Sequence, residues 1–292
     1  MWYGKNLRSL QNRLLELNFD HMELIANAIS VKGRGHIRNE DSFFCSDNYY
    51  VIADGMGGEA CGEVASKIAI NTISSLMDRF LDERCSENNV RNLAFYAISN
   101  ADKEILKYAS ANPDADGMGT TILLLIHFDR NVYVAWCGDS HCFFFDSSKK
   151  LHSLTSDHSY VRQLIDQHKI SIEDAFTHPD NNLITRYVGG GEETCRPEFV
   201  SSTIDNDEVL ILCSDGLSGY CRSEEIEQQI QSSPFNDISH NLMKLAISNG
   251  SDDDITIVSL TPKQNRICRK NLTFAWLRKI RNFISRSNYA NP

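Results

Sequence analysis

The sequence predicts an α+β protein, a sandwich of two antiparallel sheets with helices on the outside. Short apolar runs rich in β-branched residues indicate strands, and two pairs of longer segments with apolar residues at helical spacing lie between them. The predicted order is strand, two helices, strand, flap, strand, two helices, strand, where the flap is a more polar insertion. This segregation of helices from strands favours helices packed on the outer faces of a sheet sandwich.

The first half of the chain supplies strands and the first helix pair. Strands are predicted at 22–31, 43–44 and 49–53, followed by a hairpin with arms at 118–128 and 131–137. Helices are predicted at 64–81 and 90–109, and Asn112 and Pro113 end the second one. We expect these two helices to be antiparallel neighbours on one sheet face.

The second half repeats the plan around the flap. Strands are predicted at 142–145, 209–213 and 255–260, with helices at about 223–231 and 237–249. The flap, at about 156–190, is expected to hold short helices at 159–168 and 172–176 and a strand near 183–188. These elements place the domain at 22–261, between an N-terminal extension over 1–21 and a C-terminal extension over 262–292.

The charge distribution separates the C-terminal extension from the rest. All 39 acidic residues lie at or before Asp254, whereas eight of the 29 basic residues follow it, so residues 1–254 carry −18 and the remainder +8. Apolar residues among these basic ones fit a basic amphipathic helix over 272–284. Such a helix can dock on an anionic membrane surface, on an acidic partner or on the chain's own acidic body. An acidic body argues against nucleic acid as the main partner.

Cysteine usage and hydropathy favour a cytoplasmic protein. The nine cysteines form no C-x-x-C pair, and several lie inside apolar runs, as expected for reduced, buried thiols. The N-terminal segment lacks the uninterrupted apolar stretch of a signal peptide. The longest apolar run, 122–126, is too short to span a bilayer.

Acidic residues recur at the ends of predicted strands. Asp54 follows the apolar run 49–53 and precedes Gly55, and Asp215 follows the run 209–212. The other acidic positions of this kind are Asp252, Asp253 and Asp254 before the last strand, and Glu40 and Asp41 before the second. Carboxylates that converge from neighbouring strands repel one another unless cations neutralise them. Oxygen-only ligation indicates Mg²⁺ or Mn²⁺, and the two oxygens of Asp54 can bridge two cations.

Seven short blocks occur in the order and approximate spacing of a known family. They are RNEDSFF, ADGMGGEACGEVAS, DGMGTT, CGDS, LTSDHS, LCSDGLS and DDITIV. Over about residues 25 to 260, the chain resembles the metal-dependent protein serine/threonine phosphatases of the PPM or type 2C family, in their compact bacterial form. The resemblance implies a four-layer αββα sandwich.

The resemblance also implies a metal centre. Asp54, Asp215 and Asp254 match the ligands of one ion, and Asp54, Gly55, Glu40 and Asp41 surround the other, some through water. The nucleophile would be a metal-activated water, with no covalent enzyme intermediate. Asp253 is a rival for the position of Asp254, and Asp116 matches a third, weaker site that has fewer anchors here because Gly219 replaces a frequent aspartate.

Phosphate contacts are less well defined by the sequence. Relatives carry an arginine five residues before the aspartate that matches Asp41, but this chain has His36 there, so Arg38 is the preferred phosphate ligand and Arg34 the alternative. Animal relatives carry a histidine, taken as general acid, where this chain has Met56. His158 is a possible substitute but is expected to be structural, and Asp139 is expected to organise backbone.

These patterns predict a Mn²⁺- or Mg²⁺-dependent phosphatase for phosphoserine and phosphothreonine in proteins. We expect a monomer in the cytoplasm that opposes a Ser/Thr kinase in a signalling pathway, peripheral to the membrane if its tail docks there. The alternatives are a phosphatase for small phosphoesters and a catalytically weak scaffold that binds phosphoproteins or a kinase.

Overall fold

A computed structural model of the protein describes residues 22–57 and 61–263. The strands are β1 (Leu24–Val31), β2 (Ser42–Cys45), β3 (Tyr49–Ala53), β4 (Gly55–Met56), β5 (Gly119–Thr120), β6 (Ile122–Phe128), β7 (Asn131–Cys137), β8 (His141–Phe145), β9 (Leu151–Ser153), β10 (Glu198–Thr203), β11 (Val209–Cys213) and β12 (Ile255–Pro262). The α-helices are α1 (Gly62–Phe80), α2 (Glu87–Ala111), α3 (Tyr160–Asp166), α4 (Ile172–Phe176), α5 (Asp215–Ser218), α6 (Ser223–Ser232) and α7 (Ile238–Ser248).

Two five-stranded sheets form the centre of the fold. One has the order β1-β12-β11-β8-β9 and the other β10-β7-β6-β3-β2, while β4 and β5 make a small separate pair. The strand pairs are antiparallel. The predicted α+β sandwich of antiparallel sheets is therefore confirmed.

Three apolar layers hold the sandwich together. Strand β3 shows the arrangement, because Val51 and Ala53 pack with α1 and α2 whereas Tyr50 and Ile52 face the layer between the sheets. The other sheet packs its outer face on α6 and α7. A strand buried on both faces explains why its sequence is continuously apolar. The order of layers is thus helices, sheet, sheet, helices, as the family resemblance implied.

The structure differs from the predicted elements at two places near the flap. Residues 183–188 form no strand in the described chain but make isolated bridges, from Ile184 to Ser159 and from Val188 to Thr120. Glycines 189–191 follow, two of them at positive φ, and they turn the chain away from a sheet. Strand β10 was not predicted, because as an exposed edge strand it carries several polar residues.

The flap contains the two short helices that the sequence predicts. Ser159 and Ser171 cap them, each by accepting a hydrogen bond from a backbone N–H of the first turn. The N-terminal extension over 1–21 and nearly all of the C-terminal extension lie outside the described residues. Within 22–57 and 61–263, no helix has the length and hydropathy needed to cross a membrane.

Candidate metal centre

Asp54 leaves the buried end of β3, and two threonines fix its backbone. The Asp54 carbonyl accepts hydrogen bonds from the Thr121 N–H and from the Thr120 hydroxyl, both at 2.8 Å. The Thr121 hydroxyl accepts from the Asp54 N–H at 3.1 Å. The Thr121 hydroxyl also lies 2.7 Å from that of Ser140. The DGMGTT and CGDS blocks therefore hold the carboxylate-bearing strand end in place.

Glycines are required where three segments meet beside Asp54. A Cβ at residue 55 would collide with the carbonyl of Gly62, at the start of α1, and would lie 2.7 Å from the Glu40 carbonyl. A Cβ at residue 62 would lie 2.6 Å from the Glu40 side chain. The loop with Glu40, the turn at Gly55 and the start of α1 can approach this closely only without those side chains.

Asp41 brings a second carboxylate into the centre from the start of β2. Its side chain is buried, and its Oδ2 accepts a hydrogen bond from the Ser214 hydroxyl at 2.7 Å. Its Oδ1 is buried without a hydrogen-bond partner among the described residues. Burial raises the pKa of Asp41 to about 7, and the negative charge of Asp215 adds to this rise.

Asp215 supplies the third carboxylate, at the first turn after β11. It lies within hydrogen-bonding reach of the Asp54 carboxyl group, and its Oδ1 is also buried with no partner in the described ranges. Burial raises the pKa of Asp215 and holds that of Asp54 well above its usual range, and the charges of Asp41 and Asp215 raise the latter further. Three crowded carboxylates with two unpaired buried oxygens fit hard divalent cations, which would supply the missing charge and contacts.

Two further aspartates belong to this acidic cluster, although the sequence analysis did not place them there. Asp139, expected to organise backbone, is buried beside Asp215 and Asp157, and burial holds its pKa well above the ordinary value. Asp157 lies 3.1 Å from the His141 imidazole. The GDS block was the available signal for Asp139, because it puts an aspartate just after the predicted strand 131–137, whereas no predicted strand end adjoins Asp157.

Asp254 and its rival Asp253 have different surroundings. Asp254 is almost fully buried, and its oxygens accept hydrogen bonds from the Gly33 and Glu40 N–H groups, each at 2.7 Å. Its Oδ2 also lies 2.8 Å from the His36 ring. The Oδ1 of Asp253 accepts from the Asp254 N–H at 2.7 Å and lies 3.6 Å from His36 Nε2, and burial and the charge of Asp215 raise the pKa of Asp253 to about 6. Protein groups thus engage both oxygens of Asp254 but only one of Asp253, which favours Asp253, and the choice between them stays a prediction.

The predicted phosphate ligands lie at the surface next to the cluster. Arg38 is exposed and forms an ion pair with Glu63 at 3.3 Å, while Glu63 also pairs with Lys67. Arg34 is exposed as well. His36 occupies the place of the arginine found in relatives, and its hydrogen bond to Asp254 raises its pKa.

Two other predicted positions have distinct surroundings. Asp116 is exposed and directly follows a 3-10 turn that begins at Pro113. His158 is buried, stacks on Trp136 at 5.9 Å between ring centroids, and accepts a hydrogen bond from the Gly138 N–H at 3.1 Å. These contacts give His158 a structural role.

Comparisons with known proteins find similar sequences over most of the chain. A family model described as protein phosphatase 2C matches residues 32–254. Serine/threonine phosphatase stp of Listeria monocytogenes is 33% identical over 233 residues, which are 77% of this chain and 91% of that protein. Serine/threonine protein phosphatase PstP of Mycobacterium tuberculosis is 31% identical over 231 residues, 79% of this chain but 43% of that protein. The matched part thus spans less than half of the mycobacterial relative.

Solved structures show the same likeness. The crystal structure of the M. tuberculosis phosphatase PstP/Ppp has a TM-score of 0.75 and 30% identity, covering 82% of this chain and 98% of that one. The catalytic domain of PstP in complex with two manganese ions has a TM-score of 0.72 and 28% identity, covering 82% and 99%.

Proposed function

Because the chain belongs to the protein phosphatase 2C family, we propose that it is a metal-dependent phosphatase that hydrolyses phosphoserine and phosphothreonine in proteins. The observation that carries the proposal is the cluster of Asp54, Asp41 and Asp215, in which two buried oxygens have no partner among the described residues. Bound cations would offset the repulsion between these carboxylates and the burial of their charge. The manganese complex of PstP supports Mn²⁺, with Mg²⁺ as the alternative.

The ligands follow from the positions of the carboxylates. Asp54 and Asp215 would each contact the cations, with Asp41, Asp253 and Glu40 as the surrounding carboxylates and the Gly55 carbonyl as a neutral donor. Bound divalent cations would lower the pKa of a water and stabilise charge on the phosphoryl group. Asp116, which is exposed, remains a prediction for a third ion.

Other residues of the chain position this centre. Asp254 links the Gly33 and Glu40 backbones and so fixes the loop that carries Glu40 and Asp41. The Ser214 hydroxyl donates to Asp41 and orients its free oxygen. Ligand orientation by neighbouring hydrogen bonds typically changes metal affinity or activity by about 10–100-fold.

Substrate phosphate requires positive charge at the surface of the centre. We favour Arg38, whose guanidinium must exchange Glu63 for the phosphate, over Arg34. If this is correct, Arg38→Ala raises KM for a phosphopeptide more than Arg34→Ala does. An equal or opposite effect would transfer the role to Arg34.

The direct test is turnover with controlled metal content. Metal-free protein is given Mn²⁺, Mg²⁺ or EDTA, and hydrolysis of p-nitrophenyl phosphate and of a phosphothreonine peptide is measured. We expect turnover with metal, none with EDTA, and a higher kcat/KM for the peptide. No turnover by folded, metal-loaded protein would support a scaffold instead, and a preference for small phosphoesters would support a small-molecule phosphatase.

The cellular setting is a narrower part of the proposal. A phosphoprotein substrate must be made by a kinase, so the enzyme would oppose a Ser/Thr kinase in cytoplasmic signalling. Reduced surroundings are consistent with the free state of the eight described cysteines. A monomer is expected, and sedimentation equilibrium would measure its mass.

The basic C-terminal segment would dock on an anionic membrane surface. The charge of +8 after residue 254 supports this docking, since basic residues attract a segment to anionic lipids. Full-length protein should then sediment with anionic vesicles more than a 1–262 truncation does. Equal sedimentation would contradict membrane docking.

A further inference from the structure

A cavity of about 560 Å³ opens beside the acidic cluster, and we call it the flap cavity. Asp139 and Asp215 line it at the metal centre, and helices α3 and α4 of the flap form another part of its wall. The connection from α5 to α6 also borders it. Its volume lies within the range of about 300–1,000 Å³ that is typical of ligand-binding pockets.

One side of the flap cavity is apolar, formed by Phe143 of β8 and by the flap residues Val161, Ile165, Ile172 and Phe176. The rest of its wall is polar and includes Asn181, Asn182, Glu173 and Glu224. Ile172 is 71% exposed although it is a large apolar residue. An apolar residue so exposed beside a concave apolar surface marks a place where a partner can bury it.

Two arginines in the wall of the flap cavity already have partners. The guanidinium group of Arg222, next to α6, lies 5.6 Å from the ring centroid of Phe176 in α4. Arg162 of α3 is paired with Asp166 on the same helix at 3.0 Å. The other charged groups of the wall outside the metal centre, Glu173 and Glu224, are acidic and disfavour an anionic ligand, whereas the apolar side is available for contact.

The position of the flap cavity identifies its occupant. A phosphorylated residue whose phosphate reaches the metal centre brings its neighbouring residues to Asp139 and Asp215, which also line the cavity. A small phosphoester ends at that point, whereas a protein substrate can continue into the cavity. The apolar side favours an apolar side chain over a charged one because burial of an unpaired charge is costly.

We propose that the flap cavity receives a large apolar side chain of the substrate, close in sequence to the phosphorylated residue. Ile172 and Phe176 are then specificity-determining residues, and the enzyme prefers phosphoserine or phosphothreonine sites with a leucine-like neighbour. This inference rests on the proposed phosphatase function.

Phosphothreonine peptides in a Gly/Ser background test it. Leucine, alanine or aspartate is placed in turn at each position from three before to three after the phosphothreonine, and kcat/KM is divided by that for p-nitrophenyl phosphate. At one position, we expect leucine to exceed alanine by about tenfold or more, with aspartate lower still because the wall is partly acidic. Ile172→Asp should abolish this preference, whereas Ile172→Ala should reduce it.

The control variant is Ile247→Ala, which alters a half-exposed isoleucine on α7 that does not line the cavity. It should keep the full preference. Turnover of p-nitrophenyl phosphate without any positional preference would overturn the inference and leave the phosphatase function intact, as would a preference that survives in Ile172→Asp. Loss of metal-dependent turnover on every substrate would overturn the proposed function itself.

Discussion

The metal centre and the flap are neighbours, but they are built in different ways. Asp54 and Asp215 follow the fully buried strands β3 and β11, whose backbones are paired on both sides in their sheets. The flap consists of two short helices joined by exposed residues, and its contact with the small β4-β5 pair is an isolated bridge. The proposed metal centre is therefore carried by buried strands that are paired on both sides, whereas the proposed recognition surface is carried by short, more exposed helices.

Because of this difference, hydrolysis and substrate recognition should respond to different substitutions. Changes in the cluster should abolish hydrolysis of all phosphoesters, whereas changes in the flap should affect peptides more than small esters.

Removal of one charge from the cluster should stop catalysis. In Asp54→Asn and Asp215→Asn we expect turnover of p-nitrophenyl phosphate to fall by more than about 100-fold, because a direct ligand matters more than an outer partner. The control is Asp237→Asn, which changes an exposed aspartate whose side chain caps no helix. More than about a tenth of wild-type activity in either variant would contradict the assigned centre.

The paired substitutions Asp253→Ala and Asp254→Ala should separate ligand from scaffold. Asp253→Ala should weaken Mn²⁺ binding by at least about tenfold while the metal-free fold stays stable. Asp254→Ala should lower the free energy of unfolding by about 1–3 kcal/mol for each N–H left unpaired at Gly33 and Glu40. Calorimetry of Mn²⁺ binding and urea unfolding measure the two quantities. The reverse pattern would restore Asp254 as the ligand.

The stability of the metal-free protein should fall as pH rises from about 4 to 7. The folded-state pKa of Asp41 is about 7, above the unfolded value near 3.8, because the carboxylate is buried and faces Asp54, Asp215 and Asp254. The native state then binds more protons than the unfolded state in this window, and ionisation removes that stability. Urea unfolding at several pH values measures the slope.

Asp41→Asn should flatten this pH dependence, and saturating Mn²⁺ should do the same in the wild type by favouring the ionised carboxylates. A slope that is unchanged in Asp41→Asn would show that Asp41 is not one of the groups responsible. A metal-free stability that rises over the same window would contradict the pKa direction itself.

Loss of a helix cap should have the smallest effect and should differ between the two regions. Ser86 caps the long helix α2 by accepting from the Asn89 N–H, and Ser171 caps α4 in the flap. Each alanine substitution should lower the stability of its helix by about 1 kcal/mol. We expect Ser86→Ala to lower the melting temperature, and Ser171→Ala to speed only amide exchange in the flap. A lower melting temperature in Ser171→Ala would show that the flap unfolds together with the core.

Much of the fold was predictable because strands and helices here carry strong periodic signals. The run from Tyr49 to Ala53 ends at Asp54 in the structure as predicted, and β11 has the predicted bounds. Strand β10 escaped prediction because an edge strand with one exposed face has a polar sequence. The flap residues near Val188 looked like a strand, but bridges replaced a ladder there.

The site was predictable as a set of strand ends but not atom by atom. The sequence placed Asp54, Asp41 and Asp215 together, and the two sheets of the sandwich bring them together, since β2 and β3 belong to one sheet and β11 to the other. The sequence preferred Asp254 and kept Asp253 as a rival, because only the hydrogen bonds of Gly33, Glu40 and His36 show how Asp254 is engaged. The GDS block gave a local signal for Asp139, but no local pattern encodes the long-range approach of Asp139 and Asp157 to Asp215.

The pairing of β1 with β12 has a consequence for how the enzyme is made. The first and last strands of the domain lie side by side, and Asp254 fastens the end of one to the loop that follows the other. During synthesis, the Glu40 loop must therefore wait for about two hundred further residues before it acquires its anchor. A nascent chain that stops short of β12 would lack an assembled centre, so hydrolysis begins only when translation of the domain is complete.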